Sequence, residues 1–259
     1  MTRDHYVTAT AGRSRPRRSC LAVPGSNPRF LAKAQGLPAD QVFLDLEDAC
    51  APLAKEGARH HIVGALNEGD RGGKIRTVRV NDWTTHWTYR DVITVVEGAG
   101  INLDCIMLPK VADACQVVAL DLLLTQIEKT MGFEVGRIGI EVQIESAEGL
   151  GNVDAIAASS PRLETIIFGP ADFMASINMR SLAVGEQPPG YPADAYHYIL
   201  MRILMAARPK SKDDRGIVQV ETRGYKQDGT LICQFRRKVM VPTAAYATDR
   251  DAGGSSHAD

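Results

Sequence analysis

The fold of this chain is decided by the stretch from Gly139 to Phe173, GIEVQIESAEGLGNVDAIAASSPRLETIIFGPADF. Its pattern predicts a strand, a helix and a second strand, over 140–145, 148–158 and 165–169. One carboxylate stands at the end of each strand, Glu145 after the first and Asp172 after the second. Parallel strands joined by a short helical crossover usually lie side by side, about 5 Å apart. We therefore expect Glu145 and Asp172 to face each other at one edge of a parallel sheet.

Two carboxylates at this spacing repel each other unless a positive charge lies between them. A hard divalent cation with oxygen ligands, Mg²⁺ above all, removes the repulsion and keeps coordination positions for water or substrate oxygens. The carboxyl ends of parallel strands are also where α/β folds bind ligands. A structural interpretation stays open, because an acid at a strand end can also serve as a helix N-cap or a turn residue. Glu145 and Asp172 are therefore candidate metal ligands.

The pattern of an apolar run, a polar turn and a helix recurs along the first four-fifths of the chain. It predicts six strands, over 19–23, 41–46, 77–81, 105–108, 140–145 and 165–169. The runs are continuously apolar, which is typical of parallel strands that are covered by helices. A TIM (β/α)₈-type barrel is the leading prediction. An open doubly wound sheet is the alternative, and the lack of a G-x-G-x-x-G turn after the first strand disfavours it.

The pattern changes after Arg208. Two β-rich segments flank Asp228-Gly229, a dipeptide that is typical of hairpin turns. The prediction is therefore an α/β barrel truncated after about six βα units, with an appended antiparallel β-hairpin. The expected parts are a disordered basic arm over 1–17, the incomplete barrel over 18–208, a linker over 209–216, the hairpin over 217–242 and a disordered tail over 243–259.

Composition restricts the class of protein. The chain has 30 Lys and Arg against 31 Asp and Glu, and this net charge of -1 gives no electrostatic footprint for nucleic acid or an anionic membrane. No apolar run approaches the roughly 20 residues that a membrane-spanning helix needs. The five cysteines form no C-x-x-C pair, and we interpret them as reduced core residues. We expect a cytoplasmic protein that binds neither nucleic acid nor membrane.

Six motifs together resemble one known family. They are RRSCLAVPGSNPRFLAKA, VFLDLEDACAP with Lys55 after it, VRVN, IMLPK, IEVQIESAEGL and IFGPADF, in that order. The set is similar to the citrate lyase beta-subunit-like family of the HpcH/HpaI aldolase superfamily, and most closely to its malyl-CoA lyase branch. The resemblance covers about residues 17–208. It implies a TIM barrel that uses Mg²⁺ to cleave or form a carbon–carbon bond beside a CoA thioester.

The resemblance also implies roles for individual residues. Glu145 and Asp172 match the metal ligands, which also contact the substrate. Glu47 matches an acid near the metal's waters, and Arg79 matches an arginine that holds the substrate's oxygens, so these two are the candidate catalytic residues. A guanidinium suits that role because it binds a carboxylate or oxyanion through two hydrogen bonds. Further contacts to the substrate or to CoA are implied for Asn27, Lys33 and Ala171.

The implied partners are a CoA thioester and a small, glyoxylate-like oxo acid, and the expected substrate is malyl-CoA or methylmalyl-CoA. The expected assembly is a homo-oligomer, namely a trimer. The segment 217–242 instead resembles the closing hairpin of a MaoC-like hydratase. In the family a further catalytic aspartate lies beyond the position of Arg208, so we expect impaired turnover here. Two alternatives stay open, namely an HpcH-like aldolase acting on free hydroxy-oxo acids and a catalytically silent truncated or fused product.

Overall fold

The structure is a computed structural model that describes residues 15, 17–69, 72–180, 183–184, 186–187, 190 and 194–207, and the backbone of two later strands. The chain divides into two units, the first containing Ser19–Ala207 and the second containing those two strands. No helix in the described part of the chain is both long enough and apolar enough to cross a membrane.

The first unit alternates strands with helices. Its strands are β1 (Cys20–Pro24), β2 (Gln41–Asp45), β3 (Ile75–Arg79), β4 (Cys105–Leu108), β5 (Gly139–Ile144) and β6 (Leu163–Phe168). Its helices are α1 (Pro28–Gln35), α2 (Lys55–Glu68), α3 (Thr88–Ala99), α4 (Ala114–Met131), α5 (Ala147–Gly151), α6 (Val153–Ala158), α7 (Pro170–Ser176) and α8 (His197–Ala207). Short 3₁₀ turns at Pro52–Ala54 and Gly100–Asn102 precede α2 and follow α3.

The six strands form one parallel sheet in which spatial order follows chain order, from β1 to β6. This confirms the predicted α/β class. A sequential order is that of a barrel wall, whereas a doubly wound sheet reverses its order at a switch point. The central strands β2 to β5 are buried almost throughout, while β1 and β6 are half exposed because, among the described residues, each pairs with one neighbouring strand only.

The sheet is strongly curved, as one hydrogen bond demonstrates. Gln41 Nε2 at the start of β2 donates to Glu141 Oε2 on β5 at 2.8 Å, and to Thr77 Oγ1 on β3 at the same distance. Strands β2 and β5 are three positions apart in the sheet, which is about 14 Å in a flat sheet. The two side chains meet only because the sheet curls around a shared interior.

The outer face of the sheet carries the hydrophobic core. Apolar strand residues such as Val42, Val78 and Ile106 pack against apolar residues of the covering helices, including Ile62 and Val92. The interior face instead carries polar side chains at alternate positions. The strands therefore present their apolar sides to the helices and direct their polar sides into the curved interior.

Ion pairs at the amino edge of the sheet tie α4 to the start of β6. The buried guanidinium of Arg162 contacts Asp121 at 2.6 Å and Glu128 at 2.7 Å. Glu128 in turn accepts hydrogen bonds from the backbone N–H groups of Gly136 and Ile138, at 2.8 and 2.9 Å. This cluster anchors the helix to the amino ends of two strands, at the edge opposite to the strands' carboxyl ends.

Two details differ from the sequence-based expectations. The predicted single helix over 148–158 is interrupted at Asn152, whose side-chain amide donates to the carbonyl of Ala112 at 2.8 Å. Asparagine favours such helix ends because its side chain bonds to nearby backbone. The cysteines are not all core residues either, since Cys20 and Cys115 are exposed while Cys50 and Cys105 are buried.

The two strands of the second unit are described only by their backbone. Strands β7 (Arg215–Tyr225) and β8 (Leu231–Pro242) pair antiparallel, with Ile217 opposite Met240. The predicted Asp228-Gly229 turn lies outside the described residues. So do the predicted tail over 243–259, and most of the arm over 1–17 and of the linker over 209–216.

Candidate active site

Charged side chains from five neighbouring strands gather at the carboxyl edge of the sheet. They are Glu47 after β2, Arg79 at the end of β3, Lys110 after β4, Glu145 after β5 and Asp172 in the first turn of α7 after β6. Four of these residues are candidate site residues from the sequence, whereas Lys110 stands in the IMLPK motif with no role assigned to it. We call these five residues the acid–base cluster.

The two candidate metal ligands converge on Lys110. Glu145 Oε2 accepts a hydrogen bond from the backbone N–H of Lys110 at 2.9 Å, and the Lys110 ammonium lies 3.5 Å from Asp172 Oδ2. Glu145 is 6% exposed, whereas the Asp172 side chain is 42% exposed. Both carboxylates, which follow neighbouring strands, thus contact Lys110, and their role as metal ligands stays a prediction.

The capping interpretation does not apply to Glu145. The N-cap of α5 is Ser146, whose hydroxyl accepts a hydrogen bond from Gly149 N–H at 3.0 Å. The Glu145 carboxylate points instead toward Lys110 and toward Gly169 at the end of β6. Because a hydroxyl already satisfies the helix start, the cap leaves Glu145 available for another role.

Burial and nearby negative charges disfavour the ionised form of the Glu145 carboxyl group. Burial is the main cause that raises its pKa, to about 7, and repulsion from Glu47 and Asp172 adds to the effect. Burial also raises the pKa of Glu47, although Lys110 and Arg79 oppose that rise. The pKa directions of both carboxyls therefore indicate a site that favours an additional positive charge.

Arg79 is held in place by Asp45, which the sequence did not single out. The Arg79 guanidinium donates two hydrogen bonds to Asp45, at 2.8 and 2.6 Å. Burial raises the pKa of Asp45, but these hydrogen bonds outweigh burial and hold the pKa below its usual value. Asp45 also accepts from the N–H groups of Glu47 and Ala49, at 2.9 and 3.0 Å. Its position in register with Arg79 across β2 and β3 is the feature that could have revealed it.

The remaining guanidinium nitrogen of Arg79 is directed into the cluster. Nη1 lies 3.2 Å from Glu47 Oε2 and 3.4 Å from Gln143 Oε1. The guanidinium also lies over the Phe43 ring, 5.5 Å from its centroid. Asp45 and Phe43 therefore fix the plane of Arg79, while Nη1 is presented to whatever binds in the site.

A buried lysine, Lys55, holds the turn that carries Glu47. Its ammonium donates to the carbonyls of Leu46 and Glu47 and to Asn81 Oδ1, at 2.7, 2.8 and 2.7 Å. It also lies 5.0 Å from the centroid of the Trp87 ring. The resemblance included Lys55 in a motif, but it did not predict that the lysine is buried. Two of its acceptors lie eight and nine residues away, and the third, Asn81, lies 26 residues away on another strand end.

The residues implied to contact substrate or CoA lie on or beside the helices that follow β1 and β6, a region that we call the rim. Asn27 caps α1, because its Oδ1 accepts from the N–H groups of Arg29 and Phe30, both at 3.2 Å. Lys33 is exposed on α1, and Ala171 is exposed in the first turn of α7. Asn27 thus has a structural role of its own, and no hydrogen bond or ion pair described here joins Lys33 or Ala171 to the acid–base cluster.

The side chains at this edge of the sheet suit Mg²⁺ as a ligand set. Within the described residues, no group of three or more His, Cys, Asp or Glu side chains has the spacing of a metal centre. The predicted site, however, uses two carboxylates and leaves the other positions to water and substrate, a donor set that suits Mg²⁺. Glu47 Oε2 is buried and forms an ion pair with Arg79 Nη1 at 3.2 Å, but in the described part of the chain it accepts no hydrogen bond, so it could accept one from a metal-bound water. The residues present therefore fit Mg²⁺.

Comparisons with known proteins show which proteins the chain is similar to. An L-malyl-CoA/beta-methylmalyl-CoA lyase from Cereibacter sphaeroides is 41% identical over 239 residues, which cover 88% of this chain and 73% of that protein. Among solved structures, CitE from Mycobacterium tuberculosis in complex with magnesium, acetoacetate and coenzyme A has a TM-score of 0.56 at 26% identity, covering 74% of this chain and 63% of that chain. A malate synthase from Haloferax volcanii has a TM-score of 0.66 at 19% identity, covering 76% of this chain and 61% of that chain, a likeness in fold alone.

One family model matches most of the chain. The model, described as HpcH/HpaI aldolase/citrate lyase, matches residues 18–234, and so extends past the six motifs through β7 and into β8. The motifs, the six parallel strands and the relative at 41% identity all agree with this match. The chain therefore belongs to the HpcH/HpaI aldolase/citrate lyase family, an enzyme family of lyases and aldolases.

Proposed function

We propose that this chain is a Mg²⁺-dependent CoA-ester lyase, which interconverts malyl-CoA or methylmalyl-CoA with glyoxylate and an acyl-CoA. The observation that carries the proposal is the convergence of Glu145 and Asp172 on Lys110, beside a rigidly held Arg79. The 41% identity to a malyl-CoA/methylmalyl-CoA lyase supports this substrate class. The relative that binds magnesium, acetoacetate and coenzyme A supports the cofactor and the CoA partner.

Glu145 and Asp172 are the residues proposed to hold Mg²⁺. A bound Mg²⁺ would act as a Lewis acid toward the hydroxyl and carboxylate oxygens of the substrate. Glu47 would hold a water of the site through its buried Oε2. Because Glu145 is buried and Asp172 is partly exposed, the side of the site near Asp172 is the side from which substrate would enter.

Arg79 is proposed to stabilise the negative charge that develops during the reaction. Cleavage of a 3-hydroxyacyl-CoA beside its thioester releases an oxo acid and leaves an enolate on the acyl-CoA. A hydrogen-bond donor that is already oriented stabilises such an oxyanion without reorganising during the reaction. Asp45 and Phe43 orient Arg79 in this way, and Nη1 is the donor that faces the site.

The CoA moiety is proposed to bind along α1 and α7. Lys33 is exposed on α1 and carries a charge that suits a CoA phosphate, and the N–H groups at the start of α1 lie beside Asn27. Ala171 is exposed next to Asp172 and would contact the substrate or the thioester. This arrangement would place the thioester between the rim and Asp172.

A steady-state assay with malyl-CoA and Mg²⁺ tests the proposal. Glu145→Ala should abolish Mg²⁺-dependent cleavage, while the matched control Glu148→Ala, an exposed acid in the first turn of α5, should leave it unchanged. Cleavage that survives Glu145→Ala, or that does not need Mg²⁺, would refute the proposed site. Activity on free hydroxy-oxo acids without CoA would favour the HpcH-like aldolase alternative.

The activity and assembly of this chain by itself are further proposals. Among the described residues, β1 and β6 each have one edge that pairs with no other strand. An open sheet exposes the interior of the barrel to water, so we expect turnover well below that of a closed barrel. Normal malyl-CoA cleavage by the purified chain would contradict this expectation, and no turnover at all would favour the silent alternative. A homotrimer in the cytoplasm and a MaoC-like origin of 217–242 stay predictions, and the family match includes 217–234.

A further inference from the structure

Lys110 contacts four acidic residues at once. Its ammonium lies 2.6 Å from Glu47 Oε1 and 3.5 Å from both Asp48 Oδ1 and Asp172 Oδ2, and its backbone N–H donates to Glu145 at 2.9 Å. One residue thus contacts carboxylates that follow three different strands. Lys110 is therefore at the centre of the acid–base cluster.

The backbone of Lys110 is strained in a way that serves this contact. Its φ of 53° lies in the left-handed region, which residues other than glycine, asparagine and aspartate seldom adopt. The next residue, Val111, returns to the sheet and donates to the carbonyl of Gln143 at 3.1 Å. The kink is therefore confined to Lys110, and it directs both its N–H and its side chain into the cluster. Strain of this kind is concentrated at functional sites.

The charges around Lys110 do not balance without it. Arg79, the other cation of the cluster, is bound through two hydrogen bonds to Asp45, and its Nη1 also lies 3.2 Å from Glu47 Oε2. Among the described ion pairs, the Lys110 ammonium is the positive charge that Glu47 and Asp172 share. A second cation near these carboxylates would be repelled by the ammonium and would compete for the same oxygens.

We propose that Lys110 is a positioning residue that competes with Mg²⁺: its backbone N–H holds the Glu145 carboxylate, and its ammonium occupies Asp172, the second carboxylate proposed to bind the metal. This inference rests on the proposed function, because it assumes that Glu145 and Asp172 bind the metal. The contact to Asp172 is longer than the contact to Glu47, so it is the one given up when the metal binds. The ammonium then remains on Glu47.

The experiment is calorimetric titration of Mg²⁺ into the metal-free full chain, for the wild type, Lys110→Met, Lys110→Arg and Lys129→Met. Lys110→Met should bind Mg²⁺ about tenfold more tightly, because a repelling charge has been removed. Lys110→Arg keeps the charge and should stay close to the wild type. Lys129 is exposed in the last turn of α4, and its methionine variant should bind as the wild type does.

A purely structural role gives the opposite result. If Lys110 only held the fold together, Lys110→Met would bind Mg²⁺ more weakly, and weaker or unchanged binding would overturn the inference. If neither the wild type nor Glu145→Ala binds Mg²⁺, the proposed metal site is wrong and this inference falls with it. Wild-type binding that Glu145→Ala abolishes and Lys110→Met leaves unchanged would overturn the inference alone.

A second measurement uses the wild type, in case Lys110→Met does not fold. Amines are acetylated with acetic anhydride, and the modification of Lys110 is quantified by mass spectrometry with and without saturating Mg²⁺. If Mg²⁺ frees the ammonium from Asp172, acetylation of Lys110 should rise several-fold while that of exposed Lys129 stays constant. A decrease or no change at Lys110 would contradict the competition.

Discussion

Gly169, at the end of β6, lies directly against the carboxyl group of Glu145 at the end of β5. A Cβ at position 169 would lie 2.7 Å from Cδ of Glu145, which is well inside van der Waals contact. Glycine at 169 therefore lets the two strand ends approach closely enough for their acids to share a site. The first prediction follows from this contact.

Gly169→Ala should displace the Glu145 carboxylate. Because the new methyl group occupies its place, we expect Mg²⁺ affinity to fall about tenfold or more and the free energy of unfolding to fall by about 1–3 kcal/mol. Calorimetric titration and urea unfolding measure the two effects. The control is Gly57→Ala in α2, where a Cβ meets nothing within 4 Å, and a gain of up to about 1 kcal/mol is expected there. Unchanged Mg²⁺ binding in Gly169→Ala would show that the contact has no role.

The stability of the metal-free protein should fall as the pH rises through neutrality. The pKa of Glu145 is raised from its usual 4.5 to about 7, so the folded state binds this proton more tightly than the unfolded state does. The stabilising contribution is then complete below pH 4.5 and is lost as the pH passes 7, by up to about 3 kcal/mol. Urea unfolding with a chelator between pH 5 and 8 measures it. Glu145→Gln should remove this pH dependence, and Glu148→Gln should keep it.

Lys55→Met should weaken both the fold and the reaction. It leaves Asn81 Oδ1 without its donor and removes one of two donors from each of the carbonyls of Leu46 and Glu47, at a cost of about 1–3 kcal/mol in the free energy of unfolding. Because the Glu47 turn loses its anchor, kcat/KM should fall in the fraction that remains folded. Urea unfolding and malyl-CoA kinetics test this, with Lys129→Met as a control. Equal stability of the two variants would contradict the role given to Lys55.

Arg79→Lys should lower kcat more than it raises KM. A lysine keeps the charge but cannot make the two hydrogen bonds to Asp45 that orient the donor, so we expect a loss of about 10²–10³ in kcat. The exposed arginine of α3 supplies the control, Arg90→Lys, which should behave as the wild type. A change confined to KM would instead assign Arg79 to ground-state binding alone.

Arg162→Met should destabilise the protein without altering the site. It leaves Asp121 and the fully buried Glu128 without their guanidinium, at a cost of about 3–5 kcal/mol in the free energy of unfolding. This cluster lies at the amino edge of the sheet, so Mg²⁺ affinity of the folded protein should stay at the wild-type value. Weaker Mg²⁺ binding under native conditions would mean that the two edges of the sheet are coupled.

The convergence of Glu145 and Asp172 could be predicted because it follows from chain order. A strand, a short crossover helix and a second parallel strand leave one geometry in which both carboxyl ends meet. The interruption of that helix at Asn152 could not be predicted, since the amide bonds to Ala112, 40 residues away. Asp45 pairs with Arg79 on the next strand, so its role could be inferred only after β2 and β3 had been aligned in register.

The sequence by itself determined the α/β class, the parallel strands and the two acids at adjacent strand ends, because apolar periodicity and short-range connections carry that information. The family followed from the resemblance of the six motifs. Only the tertiary structure decided that Lys110 joins the site, since its ammonium meets Glu47 across 63 residues of chain. It also decided that Lys55 is buried under the Glu47 turn and that Asp45 orients Arg79. Such contacts depend on how the sheet curves, and curvature brings together side chains that no local pattern relates.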